Sequence, residues 1–450
     1  MDNKLNRPGA DNPSGQDSSE TACMPDFMAA NFIILSRRWP HLAQKIEKAA
    51  DTLPPFSLVE KGVQTLLVDG IHLTSAYDRN KEAQLQADQI PLQSPQAWVY
   101  GMALGDVPRI LLSRKDLNDL TVVIMNCAVA ALSLFFFDHS DWLDDPRINL
   151  VTASPTDCLH KPFTTAPGCL QLAEDQAGRL RDLVCLDLAT RFIRKRHQAD
   201  NPHLQKRLSD NSGYVTQDPS IDGLLASYRN NTVVVAGAGP SLSDHYYWMK
   251  DHKPGPIIAV DAALKPLMKA GIVPDIVVTI DGHANVYDLF FADVDLTLLK
   301  QSALVYFPAV QTETLMQWPG RRFVAYSSAP LYTDLAARQP RQHLFSSGSV
   351  IHPAVDLATR LDAKNIILTG ADFSFPGGQS HVSGCTQARP KQGNRWVLNG
   401  SGERVPTIPN MCAYLRDLET FLASKSEIIF FNASPRGADI MHTTLLTELP

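Results

Sequence analysis

The chain has 450 residues, of which 44% are hydrophobic and 20% charged, with a formal charge of −6. That length implies two or three globular domains, and the negative balance excludes general attraction to nucleic acid or to an anionic membrane surface. Seven cysteines without a C-x-x-C pair specify neither a disulfide framework nor a zinc site, and they fit a reducing, cytoplasmic compartment.

Residues 1–25 are rich in Asp, Asn, Ser and Gly and read as a disordered tail, not a signal peptide. Asp26–Ala50 has a loose helical rhythm broken at Pro40, which predicts an N-terminal helical cap of two helices. Short β-rich pieces lie between Phe56 and Ala76, and a polar helix starts at Tyr77–Ala83. A strand at Ala97–Tyr100, a glycine turn at Gly101–Gly105 and a helix to about Arg114 come next. Strand Thr121–Met125, apolar helix Cys127–Phe137 and strand Ile148–Thr152 complete a Rossmann-like alternation. Thr121–Phe137 falls short of the roughly 20 apolar residues of a membrane span and contains Asn126, so a buried strand entering a buried helix is expected, with no membrane span. Asn126 stands where an acidic ribose ligand belongs, which makes this first sheet a degenerate, structural one.

Gln171–Asp210 is helical in spacing, and its basic cluster Arg191–Arg196 suits a solvated helix face. A turn-rich stretch predicts a linker over 210–230, between a domain at 26–209 and another at 231–450. The second domain carries strands at Thr232–Ala236, Pro256–Val260, Asp275–Ile280, Ser302–Phe307, Arg322–Tyr326, Asn365–Thr369 and Glu427–Phe431. The fold class is therefore α/β, with two Rossmann-like doubly wound domains behind an N-terminal helical cap.

In open α/β sheets ligands bind outside the carboxyl ends of the strands, which selects the candidate residues. The first strand of the second domain ends in Gly237-Ala238-Gly239-Pro240-Ser241, a turn whose glycines suit close approach to a phosphate and whose proline suits a first helical turn. Leu242 replaces the third glycine of G-x-G-x-x-G, so an ordinary dinucleotide site fits poorly. Asp261 follows the second strand at an offset that suits a ribose hydroxyl pair, or equally a helix N-cap. Asp281 follows the third strand and suits a sugar hydroxyl, a cation or a cap. Ser346–Ser349 precedes an apolar helix, so its hydroxyls and backbone N–H groups suit a phosphate, while Ser347 or Ser349 equally suits plain capping. The glycine-rich loop Gly370–Gly384 contains Asp372 and His381, and the histidine suits a general base, a phosphate contact or simple exposure. No metal site is specified.

Together the GAGPSL turn, Ala259–Asp281, Ser346–Val350, Asn365–His381 and Phe430–Ile440 resemble the Maf family, the motility-associated factors of bacteria. The resemblance implies a sialyltransferase-like central domain that transfers a nonulosonic acid from a CMP-activated donor to Ser or Thr of flagellin, inverting and metal-independent, with no tightly bound cofactor. By that resemblance Gly237, Gly239, Pro240 and Ser241 face the donor nucleotide, Ser347 and Gly348 its cytidine or phosphate side, and Asp372 shapes the donor-sugar loop. The same region resembles archaeal-type 6-hydroxymethylpterin diphosphokinases, which implies instead ATP as donor and Mg²⁺ near Asp261 and Asp281. A non-catalytic nucleotide-sugar-binding role in flagellar assembly is the third alternative.

Overall fold

The computed structural model describes residues 27–196, 201–252, 255–282, 285–388 and 391–446. The expected tail at 1–25 lies outside the described residues, as do the side chains of Arg191–Arg196. The chain forms two compact units, one of residues 1–152 and 161–172, the other of 153–160 and 173–450.

In the first unit, helices Met28–Arg38 and Pro40–Ala49 form the cap, with Pro40 opening the second helix, where its missing N–H costs nothing. Asn31 fastens the first helix, its Nδ2 donating to Leu134 O at 2.7 Å and Phe137 O at 2.8 Å. Strands β1 (Phe56–Glu60), β2 (Gln64–Val68) and β3 (Ile71–His72) make an antiparallel sheet. Strands β4 (Gln96–Tyr100), β5 (Asp119–Ile124), β6 (Ile148–Thr152) and β7 (Phe163–Thr165) make a parallel sheet in the order β6-β5-β4-β7. The apolar run resolves into β5 and helix Cys127–Phe136, and among the described residues no helix is long and apolar enough to cross a membrane. Asn126 caps that helix, its Oδ1 accepting from the amides of Ala128 and Val129. A Cβ on Gly105 would fall 2.6 Å from Trp142 Nε1 and 2.7 Å from His139 Nδ1, so side chains of the unit itself fill the space beside this glycine turn.

The second unit is built on eight parallel strands. In chain order these are β8 (Thr232–Ala236), β9 (Ile257–Val260), β10 (Ile276–Thr279), β11 (Ala303–Tyr306), β12 (Arg322–Val324), β13 (Asn365–Thr369), then, after the antiparallel pair β14 (Arg395–Leu398) and β15 (Arg404–Thr407), β16 (Ile429–Asn432) and β17 (Thr444–Leu445). The sheet order is β12-β11-β10-β9-β8-β13-β16-β17. All of β9, β10 and β11 is buried, as a sheet covered on both faces requires, and this is why these strands read as unbroken apolar runs. The chain steps outward from β8 to β12, then returns to place β13 on the other flank of β8. The reversal makes the β8/β13 boundary a topological switch point.

The stretch expected as a linker is helical over Ser212–Gln217 and Asp222–Tyr228 and is pinned to the second unit. Buried Asn211 donates through Nδ2 to Pro308 O and Val310 O, each at 2.8 Å, while buried Asp218 accepts from Tyr306 Oη at 3.0 Å and from Arg322. These polar residues resemble a solvated turn in sequence, yet they serve as internal ties.

Upstream, helix Gly178–Arg196 also belongs to this unit. Its Arg181 and Asp182 join Arg416 and Glu419 of helix Pro409–Ala423 in a buried ion cluster, with Arg416 Nη2 3.0 Å from Asp182 Oδ2 and Arg416 Nη1 2.7 Å from Glu419 Oε1. Such a cluster contributes modestly as a whole, but removing one partner is costly because it leaves an uncompensated buried charge.

The β8 turn meets the β13 loop so closely that a Cβ on Gly239 would lie 2.0 Å from Asp372 Oδ2 and 2.7 Å from Gly370 O. We expect Gly239→Ala to destabilise the protein by about 3 kcal/mol in urea unfolding, because buried backbone and a buried carboxylate must move. Gly213→Ala, where nothing lies within 4 Å of the new Cβ and the residue sits in a helix, should instead be neutral or stabilising by up to about 1 kcal/mol.

Candidate functional site

At the switch point the two loops are tied by their own backbones. Gly237 N–H donates to Thr369 O at 2.8 Å and Gly239 N–H to Gly370 O at 2.8 Å. Ser241 N–H donates to Asp372 Oδ2 at 3.0 Å, and Pro240, which opens the short 3₁₀ helix Pro240–His245, has no N–H. The phosphate-cradling amides expected here thus have internal partners, and the Asp372 carboxylate occupies the place of the anion. Ser241 is fully buried and its Oγ donates to Ser434 Oγ at 2.8 Å. Gly237, Gly239, Pro240, Ser241 and Asp372 form one positioning cluster at the centre of the sheet.

Burial raises the Asp372 carboxyl to about 6, against the opposing effect of the Ser241 hydrogen bond. Its Oδ1 has no hydrogen-bond partner among the described residues and lies where a Cβ on Gly437 would come within 2.4 Å.

A second cluster gathers at the carboxyl ends of β9 and β10. Asp261 is 2% exposed and begins helix Asp261–Lys269, its Oδ1 accepting from Ala262 N–H and its Oδ2 from Thr279 Oγ1, both at 2.8 Å. Burial raises its carboxyl to about 7, the Thr279 and Ala262 bonds oppose that rise, and the Asp281 charge adds to it. Asp281 is half-buried, and its charge also helps raise Tyr414, whose shift is due first to burial. Tyr414 in turn meets Gly348, at which a Cβ would fall 2.7 Å from the tyrosine Cε1 and where φ is +86°. Ser347 Oγ donates to Asp417 Oδ2 at 2.5 Å and Ser347 N–H to His352 Nδ1 at 3.1 Å. His352 Nε2 is 2.9 Å from Tyr414 O, an acceptor only, so this nitrogen carries the proton while Nδ1 accepts. Burial holds that imidazole low, at about 4, hence neutral near pH 7.

His381 sits on the loop that crosses both clusters, its Nδ1 3.2 Å from Ser380 Oγ. The next residue, Val382, donates its N–H to Ala238 O at 2.9 Å, and Thr386 Oγ1 donates to Leu289 O at 2.7 Å. Burial raises the Cys385 thiol, and the Asp261 charge adds to the rise, which brings this loop beside the second cluster.

The structure therefore places Asp261, Asp281, Ser347 and Gly348 together, with His381 on the loop above, and separates them from the Gly237–Ser241 turn, which serves as support. Sequence reading missed Tyr414, Asp417 and His352. Tyr414 and Asp417 are three apart on helix Pro409–Ala423, and that spacing on one face was the available signal.

The fold and site define a doubly wound α/β unit with acids and hydroxyls gathered at the carboxyl ends of its parallel strands. Residues 206–378 match the family model described as 6-hydroxymethylpterin diphosphokinase MptE-like. A curated 6-hydroxymethyl-7,8-dihydropterin pyrophosphokinase from Pyrococcus furiosus is 29% identical over 174 residues, which is 38% of this chain and 66% of that protein, so the chain spans just under two thirds of that relative's length. Among solved structures, a Maf glycosyltransferase from Magnetospirillum magneticum AMB-1 is similar with a TM-score of 0.42 at 15% identity, over 94% of this chain and 74% of that one. Spermidine synthase from Thermotoga maritima is similar with a TM-score of 0.22 at 16% identity, over 26% of this chain and 46% of that one. The match over 206–378 agrees with the resemblance of these motifs to the 6-hydroxymethylpterin diphosphokinases.

The raised Asp261 makes a prediction about pH. Its folded-state pKa of about 7 exceeds the ordinary 3.8, so the stabilisation from its proton is full below pH 3.8 and is lost as pH rises through 7. Asp372 acts in the same direction. In urea unfolding, the wild type should lose on the order of 2 kcal/mol relative to Asp261→Asn between pH 5 and pH 8, since the amide keeps the shape and cannot titrate.

Proposed function

We propose that the second unit is a glycosyltransferase that moves a nonulosonic-type acidic sugar from a CMP donor to a hydroxyl of a protein acceptor, inverting and without a metal. The acceptor implied by the sequence resemblance is flagellin Ser or Thr, and the expected compartment is the cytoplasm. The observation that carries this reading is that Asp417 and Tyr414, which meet Ser347 and Gly348, lie beyond the 206–378 segment shared with the pterin kinases, as does His381 on the crossing loop, and all three fall within the span over which the Maf resemblance runs.

In this reading Asp281 accepts hydrogen bonds from the donor ribose, Ser347 and Gly348 line the nucleotide beside Tyr414, and His381 stands on the acceptor's side. The acceptor oxygen attacks the anomeric carbon from the face opposite CMP, the bond from that carbon to the phosphate oxygen breaks, and CMP leaves with the electron pair. The acceptor proton passes to His381 as general base. Asp372 and Ser241 position the loops and touch neither reactant. Leaving-group charge develops on phosphate, so the polar groups facing it matter most.

Pyrophosphate transfer from ATP is the second reading, favoured by the match over 206–378. It would use Asp261 and Asp281 around Mg²⁺, but both Asp261 oxygens already accept hydrogen bonds and the side chain is 2% exposed, so these residues do not fit a cation clamp.

Calorimetric titration with CMP in chelated buffer, and separately with ATP and Mg²⁺, tests the choice. We expect saturable CMP binding without metal, weakened about tenfold or more by Asp281→Asn, since a hydrogen bond to a charged group is lost. His381→Ala should leave CMP affinity within about twofold and lower transfer from a CMP-activated nonulosonate by about 100-fold or more, the usual worth of a general base. Binding of ATP with Mg²⁺ and none of CMP would overturn the assignment.

A further inference from the structure

A groove of about 300 Å³, lined by Phe375, Gly377, Gly378, Glu403, Arg404 and Arg436, opens on the far side of Asp372 from the β8 turn. Its walls come from three places: the loop after β13, the β14–β15 hairpin and the loop after β16. Gly437, next to Arg436, packs directly on Asp372, so the groove begins one residue from the switch point. No residue of the proposed donor site lines it.

Its wall carries two arginines and one acid. Arg404 and Arg436 are each about half exposed, and Lys391 stands at the rim with Nζ 5.5 Å from the Phe375 ring centroid. The one acid in the wall, Glu403, accepts through Oε2 from Asn399 Nδ2 at 3.0 Å. Arg404 is held in place by stacking over Trp396, with its Cζ 4.1 Å from the ring centroid. A Cβ added at Gly377 or Gly378 would meet nothing within 4 Å, so the floor is open beside them.

Both arginines carry replaceable partners. Arg404 Nε is 2.5 Å from Asp175 Oδ1 and Arg436 Nη2 is 2.6 Å from Asp244 Oδ2, and in each pair both side chains are between 42% and 56% exposed. Exposed pairs of this kind are worth about 0–1 kcal/mol, which a carboxylate or phosphate making bidentate contacts with guanidinium readily exceeds.

We propose that this groove is an acceptor subsite that binds a carboxylate or phosphate group through Arg404 and Arg436. The proposal rests on the transferase reading for the word acceptor, but the anion binding itself does not depend on that reading. The groove lies on the flank of the switch point opposite β9 and β10. The anion has two possible sources, an acidic side chain of a polypeptide or a free phosphorylated small molecule.

The test titrates the full chain with a tri-glutamate peptide and, separately, with inorganic phosphate, at constant ionic strength. We expect at least one to bind saturably at millimolar concentration or below, with Arg404→Ala and Arg436→Ala each weakening it about tenfold. Tighter binding of the peptide identifies the polypeptide source, and tighter binding of phosphate the small-molecule source. Asp175→Asn and Asp244→Asn release the arginines and should tighten the same probe about two- to fivefold, a gain that misfolding cannot imitate. Failure of both probes to bind the wild type, or binding unchanged in both arginine variants, would overturn the proposal. CMP titrated into the arginine variants should bind within about twofold of wild type, and loss of CMP binding in the wild type would sink the transferase reading while leaving the anion result standing.

Discussion

The second unit depends on one close approach, that of the β8 turn to the β13 loop. Two backbone hydrogen bonds, Gly237 to Thr369 and Gly239 to Gly370, and one charge-bearing bond, Ser241 to Asp372, hold the loops where the strand order reverses. Only glycine at 237 and 239 permits it, since a Cβ at either would fall within 2.4 Å of atoms of the other loop. The crevice, the crossing loop above it and the arginine groove beyond Asp372 all hang from that junction.

The junction also explains where the acidity of the unit has gone. Asp372 and Asp261 are both shielded from water and both pushed upward, toward about 6 and about 7, although each accepts hydrogen bonds that favour the anion. Desolvation wins in each case. Asp281, at the end of β10, is half-buried and lies near Tyr414. His352 supports that side as a neutral ring, accepting from Ser347 and donating to Tyr414, and together with the Ser347–Asp417 hydrogen bond it fastens the loop Ser346–Ser349 to helix Pro409–Ala423.

Much of this was legible in sequence because it depends on local pattern. Strands such as Thr232–Ala236 and Asn365–Thr369 are short apolar runs ended by glycine, and the observed bounds coincide with those expected. Helices at Met28 and Pro40 follow from periodicity and from proline chemistry. The hairpin β14–β15 was not legible as such, and it docks on the loops after β13 and β16 through Phe375 N–H to Pro406 O and Asp439 N–H to Leu398 O. Asn211 and Asp218 misled for a related reason, since a polar residue has the same letter whether it faces water or a buried carbonyl.

By itself, the sequence determined the α/β alternation, the strands of the doubly wound sheet and the set of acids, serines and glycines at the strand ends, because each is dictated by side-chain period and by local backbone freedom. Only tertiary structure decided which strand-end residues share a site. Strand order brings Ser241 and Asp372 into contact across more than a hundred positions, and it turns the expected phosphate turn into a support for Asp372. It likewise carries Tyr414 and Asp417 from a distant helix to Gly348 and Ser347. Which amides remain open to a ligand is set by the partner that arrives from elsewhere in the chain, and no local pattern encodes that partner.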